Sequence, residues 1–257
     1  MPPQLFHGVL VLLNFFSFCI NHHRKKKASC FHIERRKKMK EENNVADLSK
    51  VIAYAESILG NDYTGHGFDH VKRVAGLSQA IIDADELTVD RFVVQAAAYL
   101  HDTVDDKVVA DVTAASNEVR ACLTTAGASE AQTKEIFSII ENLSFSKELL
   151  QGAQVVSVEG RVVRDADRLD ALGAIGILRT SYFGGSHQHP IHVSDLAPKT
   201  FQNHEDYRKG TTVINHFYEK LFLLPEKMTT AYGKKEAQRR VAFMKDFLEE
   251  FYAEWDV

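Results

Sequence analysis

Cysteine is scarce in this 257-residue chain, with only Cys19, Cys30 and Cys122, and no two of them form a CxxC pair. A disulfide framework and a cysteine-built structural zinc site are therefore excluded, and a reducing compartment is expected. Glycine falls in none of the phosphate-cradling patterns. There is no GxxxxGK[ST] and no GxGxxG, so neither a P-loop nucleotidase nor a dinucleotide enzyme is supported. A GxSxG nucleophile elbow is also missing. No Asn-Gly or Asp-Gly separates alternating apolar runs, and proline occurs five times. With hairpin signals lacking, the Ala-, Leu-, Ile-, Glu- and Lys-rich stretches point to an all-α chain.

Charge is unevenly placed. Eight Lys/Arg and one acid, Glu34, give the first 38 residues +7, which leaves −11 on residues 39–257 for the chain total of −4. An acidic body argues against a duplex nucleic-acid surface, which needs phosphate neutralisation. A small anionic substrate stays compatible, because a metal can supply local positive charge. Residues 4–20 are mostly apolar, interrupted by His7 and Asn14, and are followed by basic clusters at His22–Lys27 and Arg35–Lys38. The run is short of the ~20 apolar residues of a spanning helix. Its charge also lies on the wrong side for a secretory signal. Three readings stay open: an extension outside the fold, a weak membrane anchor and an organelle leader. Membrane contact is expected through residues 4–20 if at all, with the body cytoplasmic.

The body reads as a succession of helices. Apolar spacing predicts Val45–Leu59, Gly65–Ala84, Thr88–His101 with Thr88 as N-cap, Lys107–Thr125, Glu130–Leu143 and one long buried helix, Val158–Leu178. A loop is expected from Gly184 to about Phe201, followed by helices Tyr207–Leu223 and Lys234–Trp255. Phe217, Tyr218, Phe222, Phe243, Phe247, Phe251 and Tyr252 form aromatic stripes expected to be core. The division is an extension over 1–38 and a folded body over 39–257. Within the body, the core spans about 47–183, the loop about 184–204 and the C-terminal helices about 205–255.

His70, the pair His101-Asp102, and Asp167 stand inside these helical segments. Imidazole suits zinc, iron, nickel or copper and carboxylate suits harder ions, so a His2Asp2 set suits a borderline divalent cation with positions left open. The strings are Gly65-His66-Gly67-Phe68-Asp69-His70-Val71-Lys72-Arg73-Val74, Ala98-Tyr99-Leu100-His101-Asp102, and Asp165-Ala166-Asp167-Arg168-Leu169-Asp170-Ala171. Their order resembles the HD superfamily of metal-dependent phosphohydrolases. Over about Asp47–Trp255 the chain looks like a branch of small stand-alone members, some of which are nucleoside triphosphate pyrophosphohydrolases.

The resemblance implies an HD-domain helical bundle with two C-terminal helices packed on it, and places the ligands at His70, His101, Asp102 and Asp167. Asp170 would orient a ligand histidine, and Asp165 is the alternative ligand. Each of these acids could instead pair with Arg161, Arg164 or Arg168. His66 and His70, four apart, are expected on one helix face. His66, Arg73, Asp106 and Lys107 are the candidate catalytic and charge-balancing groups, with Asp106 set to position or deprotonate water. Glu141, His216 and Lys220 are candidate substrate contacts. His187, His189 and His192 form a loop cluster that would suit zinc, although such clusters are more often incidental.

The implied activity is metal-dependent hydrolysis of a phosphate ester or anhydride, foremost a nucleoside triphosphate to monophosphate and pyrophosphate. A nucleoside monophosphate phosphatase, a di-iron oxygenase on the same fold and a non-catalytic nucleotide or metal sensor are the alternatives. Mn2+ is the expected ion, with Mg2+, Fe2+, Co2+, Ni2+ and Zn2+ as alternatives.

Overall fold

A computed structural model describes residues 46–62, 65–105, 108–143, 148, 157–200 and 211–255. They belong to the unit Ala46–Val257, divided from Met1–Val45. The readings made for residues 1–38 lie outside the described residues. Among the described residues no helix is long and apolar enough to cross a membrane.

Polar caps set where the helices begin, because the first turn of a helix leaves N–H groups unsatisfied. Asp47 accepts from Ser49 N at 3.0 Å ahead of α1 (Leu48–Leu59). Helix α2 runs Phe68–Ala84. Asp90 accepts from Phe92 N and Val93 N and opens α3, Arg91–Leu100. Thr88 is therefore not the cap. A carboxylate reaches two N–H groups there, and its second oxygen takes a 2.9 Å bond from Gln132 Nε2. Asp111 starts α4 (Val112–Ala126), which ends at Gly127 with φ +83°. A capping box of Ser129 and Gln132 starts α5, Glu130–Ile140. Ser157 caps α6 (Val158–Asp170) and Thr212 caps α8 (Val213–Glu219), with α7 (Gly173–Ser186) between them. Two 3-10 turns, Leu221–Leu223 and Pro225–Lys227, lead into α9, Ala231–Trp255. No strand occurs among the described residues, and the all-α expectation holds.

Helix α3 is the centre of the body. It packs against α1, α2, α5 and α6, and Val93, Val94, Ala96, Ala97, Ala98 and Leu100 are all buried. Three consecutive alanines present little bulk on any side, so several neighbours approach closely. Helix α2 contributes Val71, Val74, Ala75, Ile81 and Ile82 to this core, and α6 contributes Val162, Val163, Ala166 and Leu169. Burying one such leucine or isoleucine stabilises the fold by about 1.5–3 kcal/mol.

The single helix expected over Val158–Leu178 is two. Gly173 adopts φ +74°, and a Cβ on Gly176 would stand 2.2 Å from the carbonyl oxygen of Ala171. A sharp break after Asp170 thus brings α7 back close to the end of α6, and only glycine fits at the contact. Helix α7 continues to Ser186, beyond the predicted loop start. The aromatic stripes divide between core and surface. Phe217 is fully buried, but Tyr218, Phe243 and Phe247 are exposed. Phe222, Phe251 and Tyr252 are half-buried and pack against the core, so the expectation holds for part of each stripe and fails at Tyr218, Phe243 and Phe247.

The start of α9 is held by two acids from elsewhere. Asp165 of α6 accepts from Thr229 N at 2.8 Å, Thr230 N at 2.7 Å and Thr230 Oγ1 at 2.8 Å. Asp85, after α2, accepts from Ala231 N at 2.8 Å and Tyr232 N at 3.0 Å. Replacing Asp165 by Asn puts an amide N–H2 among donors. Asp165→Asn is expected to lower unfolding free energy by about 2 kcal/mol in urea denaturation, with metal affinity unchanged in titration. Gly176→Ala is expected to cost at least as much, about 2 kcal/mol or more, in the same measurement.

Candidate metal centre

His70 projects from the first turns of α2 and is 1% exposed. Its Nδ1 lies 2.7 Å from Asp170 Oδ2 at the end of α6. A carboxylate only accepts, so Nδ1 carries the hydrogen and Nε2 presents a lone pair. His101 repeats the arrangement with a different acceptor, its Nδ1 donating to the Ala98 carbonyl at 2.9 Å. The two Nε2 atoms then face each other at 3.2 Å.

The chain places His101 and Asp102 together by changing helix type. After Leu100 it tightens into a 3-10 turn, His101–Val104, and both side chains turn to the same point. Asp102 Oδ1 is 3.4 Å from His101 Nε2, and its Oδ2 is 3.4 Å from His70 Nε2. Asp167 Oδ1 completes the group at 3.4 Å from His70 Nε2 and 3.8 Å from His101 Nε2. His70, His101 and Asp102 are buried, whereas the Asp167 side chain is 31% exposed. The group therefore opens towards solvent on the Asp167 side.

These donors fit a divalent cation. Two imidazole lone pairs and two carboxylate oxygens repel one another unless a positive charge lies between them. Asp102 Oδ2 is buried with no hydrogen bond among the described residues, and so is available to a cation. Separations of 3.2–3.8 Å are what neighbouring donors show around an ion with bonds of about 2.1 Å. Among the described residues no other group of His, Cys, Asp or Glu meets the spacing of His70, His101 and Asp102.

Charge within the site is mutually stabilised. Burial opposes ionisation of Asp167, but the His70 and His101 rings and the Arg179 guanidinium hold its carboxyl well below the usual range. Burial likewise opposes Asp170, yet His70, Arg73 and Arg179 bring it to about 2. Asp102 is lowered against burial by His101, His70 and His66. Burial and Arg179 disfavour charge on His70, and Asp167, Asp170 and Asp102 outweigh them, so its pKa is raised.

Other expected residues are placed differently. His66 is not on the helix face with His70. Gly67 is the N-cap of α2, because a Cβ there would meet the Asp62 carbonyl at 2.5 Å. His66 still borders the site, with ring centroids 6.5 Å from His70 and 5.9 Å from Phe183. Arg73 is turned to carboxylates: Nε to Asp170 Oδ1 at 2.7 Å, and Nη1 to Asp69 Oδ2 at 2.5 Å. Its charge is thereby taken up within the protein. Asp165 lies on another face of α6 and accepts from Thr229 and Thr230 just ahead of α9, so it is not among the converging donors. The Arg161, Arg164 and Arg168 pairings considered for these acids do not form among the described residues. Asp165 binds Thr229 and Thr230, and Asp170 binds Arg73 and Arg179.

His216 is half-buried in α8, and Lys220 is its C-cap residue. Burial, with Lys220 and His189 nearby, lowers the His216 pKa to about 3. Glu141 is exposed at the end of α5. Asp106 and Lys107 lie outside the described residues. Of the loop histidines, His187 and His189 stay neighbours, with ring centroids 6.0 Å apart beside Phe183, while His192 sits among Phe251, Tyr252 and Trp255. His187, His189 and His192 therefore do not form one donor group.

Arg179 was not foreseen. Its Nη1 donates to Asp170 Oδ2 at 3.1 Å and its Nε to the Gly65 carbonyl at 2.9 Å, joining α7, the end of α6 and the His66 segment. The sequence signal was the glycine pair Gly173 and Gly176, which folds α7 back and brings position 179 to Asp170.

Comparison with known proteins agrees with this geometry. The HD domain family matches residues 67–172. An uncharacterised Bacillus subtilis (strain 168) protein, YpgQ, is 31% identical over 199 residues, covering 77% of this chain and 89% of YpgQ. A Lactobacillus plantarum structure aligns with TM-score 0.74 and 38% identity, over 81% of this chain and 96% of that one. A Bacillus thuringiensis HD-superfamily hydrolase aligns with TM-score 0.63 and 33% identity, over 82% and 97%. YpgQ in complex with ADP aligns with TM-score 0.61 and 27% identity, over 81% and 97%. The four converging donors, the helical frame that holds them and these likenesses lead to one conclusion: the chain belongs to the HD-domain family of metal-dependent phosphohydrolases.

Proposed function

We propose that this chain hydrolyses a phosphate anhydride in a nucleotide, releasing pyrophosphate from a nucleoside triphosphate and leaving the monophosphate. The observation that carries this reading is the convergence of His70 Nε2, His101 Nε2, Asp102 and Asp167 on one point that opens at Asp167. The ADP complex of the related YpgQ supports a nucleotide as ligand.

His70, His101, Asp102 and Asp167 would hold the ion, with Mn2+ as the expected metal. When bound, it would supply Lewis acidity towards water and a phosphoryl oxygen. The protein's own part is positioning and charge. Asp170 keeps the His70 ring turned with Nε2 inward, and Arg73 and Arg179 keep Asp170 ionised and in place. His66, at the rim, is assigned contact with a substrate phosphate. Asp106 is assigned the positioning of water and Lys107 the balancing of phosphate charge. Glu141, His216 and Lys220 are assigned to the remainder of the nucleotide. Arg73 acts through Asp170.

The full chain, incubated with Mn2+ and a panel of nucleotides, is expected to release pyrophosphate from a triphosphate. EDTA should abolish the activity and excess Mn2+ restore it. Asp102→Ala should lower kcat/KM by about 10³-fold or more, the scale of losing a principal electrostatic group. Orthophosphate released from a monophosphate would replace this reading with the nucleotidase. A folded, Mn2+-loaded protein with no turnover would refute hydrolysis. Asp170→Asn is expected to weaken Mn2+ affinity by about 10–100-fold without loss of helical content, as read by metal titration and circular dichroism.

A further inference from the structure

Helix α9 is 25 residues long, about 37 Å, and one side of it meets the core through Gly233, Ala237, Val241, Met244 and Leu248. Another side carries a second pattern. Lys235, Arg239, Phe243, Phe247, Glu250 and Glu254 follow one another at steps of four or three residues, so they lie along one line of the helix surface. All six are exposed. The two phenylalanines at the middle are 48% and 37% exposed. Phe247 also stacks on the buried Phe217 at 6.2 Å, so the pair continues the core outwards.

The charges of α9 are sorted by sign. From Ala231 to Arg240 there are four cations and one acid, Glu236; from Val241 to Trp255 there are one cation, Lys245, and four acids. The first turn holds no acid and the last turn no base, the reverse of the order a helix dipole favours. Asp85 and Asp165 offset this at its start, but the C-terminal acids have no such counterweight. Glu236 is shared by Arg239, at 2.6 Å, and Arg240, at 2.8 Å, which leaves positive charge in excess. Asp246, Glu249, Glu250 and Glu254 form no ion pair among the described residues.

We propose that two copies of this chain pair through α9, antiparallel about a two-fold axis that crosses the helix between Phe243 and Phe247. Along the line the stripe runs positive, positive, phenyl, phenyl, negative, negative. Turned end for end it is its own complement, which is the condition for an isologous contact. With Phe243 facing the partner's Phe247, the even rise of the helix sets Arg239 beside the partner's Glu250 and Lys235 beside the partner's Glu254. Each pair then occurs twice. The phenyl rings form a dry centre and the charges its rim. A second copy is favoured over an unrelated protein because one sequence supplies both halves of the match. A parallel pairing would set Arg239 against Arg239 and is opposed by repulsion. The inference is independent of the hydrolysis reading.

The test is sedimentation equilibrium of the full chain, wild type and variants. The wild type should be dimeric at about 0.1 mM, a modest demand for a specific contact. Phe243→Glu should raise the dissociation constant about 30-fold or more, as expected for a central anchor. Arg239→Glu and Glu250→Arg, each alone, should raise it about tenfold. Together they exchange the two signs and should return it to within about threefold of wild type. Added salt should weaken the wild-type dimer, since rim charges are screened. The substituted positions are exposed, so helical content by circular dichroism should match wild type throughout. A wild-type monomer at that concentration would overturn the proposal. So would a dimer indifferent to Phe243→Glu, such as one assembled through residues 4–20, or a double variant no tighter than the single ones.

Discussion

The hydrogen bond between His70 Nδ1 and Asp170 is the contact on which the centre depends. It selects the ring tautomer and the ring plane, and so decides that a lone pair rather than a hydrogen faces His101. Asp170 does this only as an anion, although almost wholly buried. Two guanidiniums from opposite sides keep it so: Arg73 from α2 and Arg179 from α7. Both arginines are therefore structural parts of the donor set without touching the ion's position. The second histidine needs no such support, because the carbonyl of Ala98 is fixed by α3 itself.

Helix α6 distributes three acids by helical geometry alone. Successive residues turn by about 100°, so Asp165, Asp167 and Asp170 cannot share one task. Asp167 and Asp170, three apart, face the histidines, the first towards the opening and the second into the protein. Asp165 faces away and accepts from Thr229 and Thr230 just ahead of α9. The centre and the C-terminal helix are thus held by neighbouring residues of one element, each with its own set of partners.

Much of this was legible in the sequence, and the reasons differ from residue to residue. The four donors could be named because each needs a particular side-chain type in a helical segment, and because the family resemblance fixed which of Asp165, Asp167 and Asp170 faces the centre. The outward direction of Asp165 followed from the period, but its partners did not, since they lie 64 and 65 residues away in sequence. Arg73 was read as a phosphate partner from its spacing to His70. Spacing reports a shared face and not which acid from another helix arrives there. Arg179 stayed hidden because the apolar pattern continues without interruption through Ala171-Leu172. Only the demand of Gly173 and Gly176 for a close backbone approach reveals the break. The exposed face of α9 was misread for a related reason: an aromatic stripe has the same period whether or not another element covers it.

The arrangement of α6 also limits how this chain can change over evolutionary time. A single residue inserted or deleted between Val158 and Asp170 would rotate everything beyond it by about 100°. The acids that face the histidines and the one that reaches Thr229 and Thr230 would then all be turned away from the partners they now have. Single substitutions alter one of these tasks at a time, whereas a change of length alters them all at once. The segment is therefore a ruler of fixed length, and variation in chain length among proteins that share this centre must fall elsewhere, in the connections between helices.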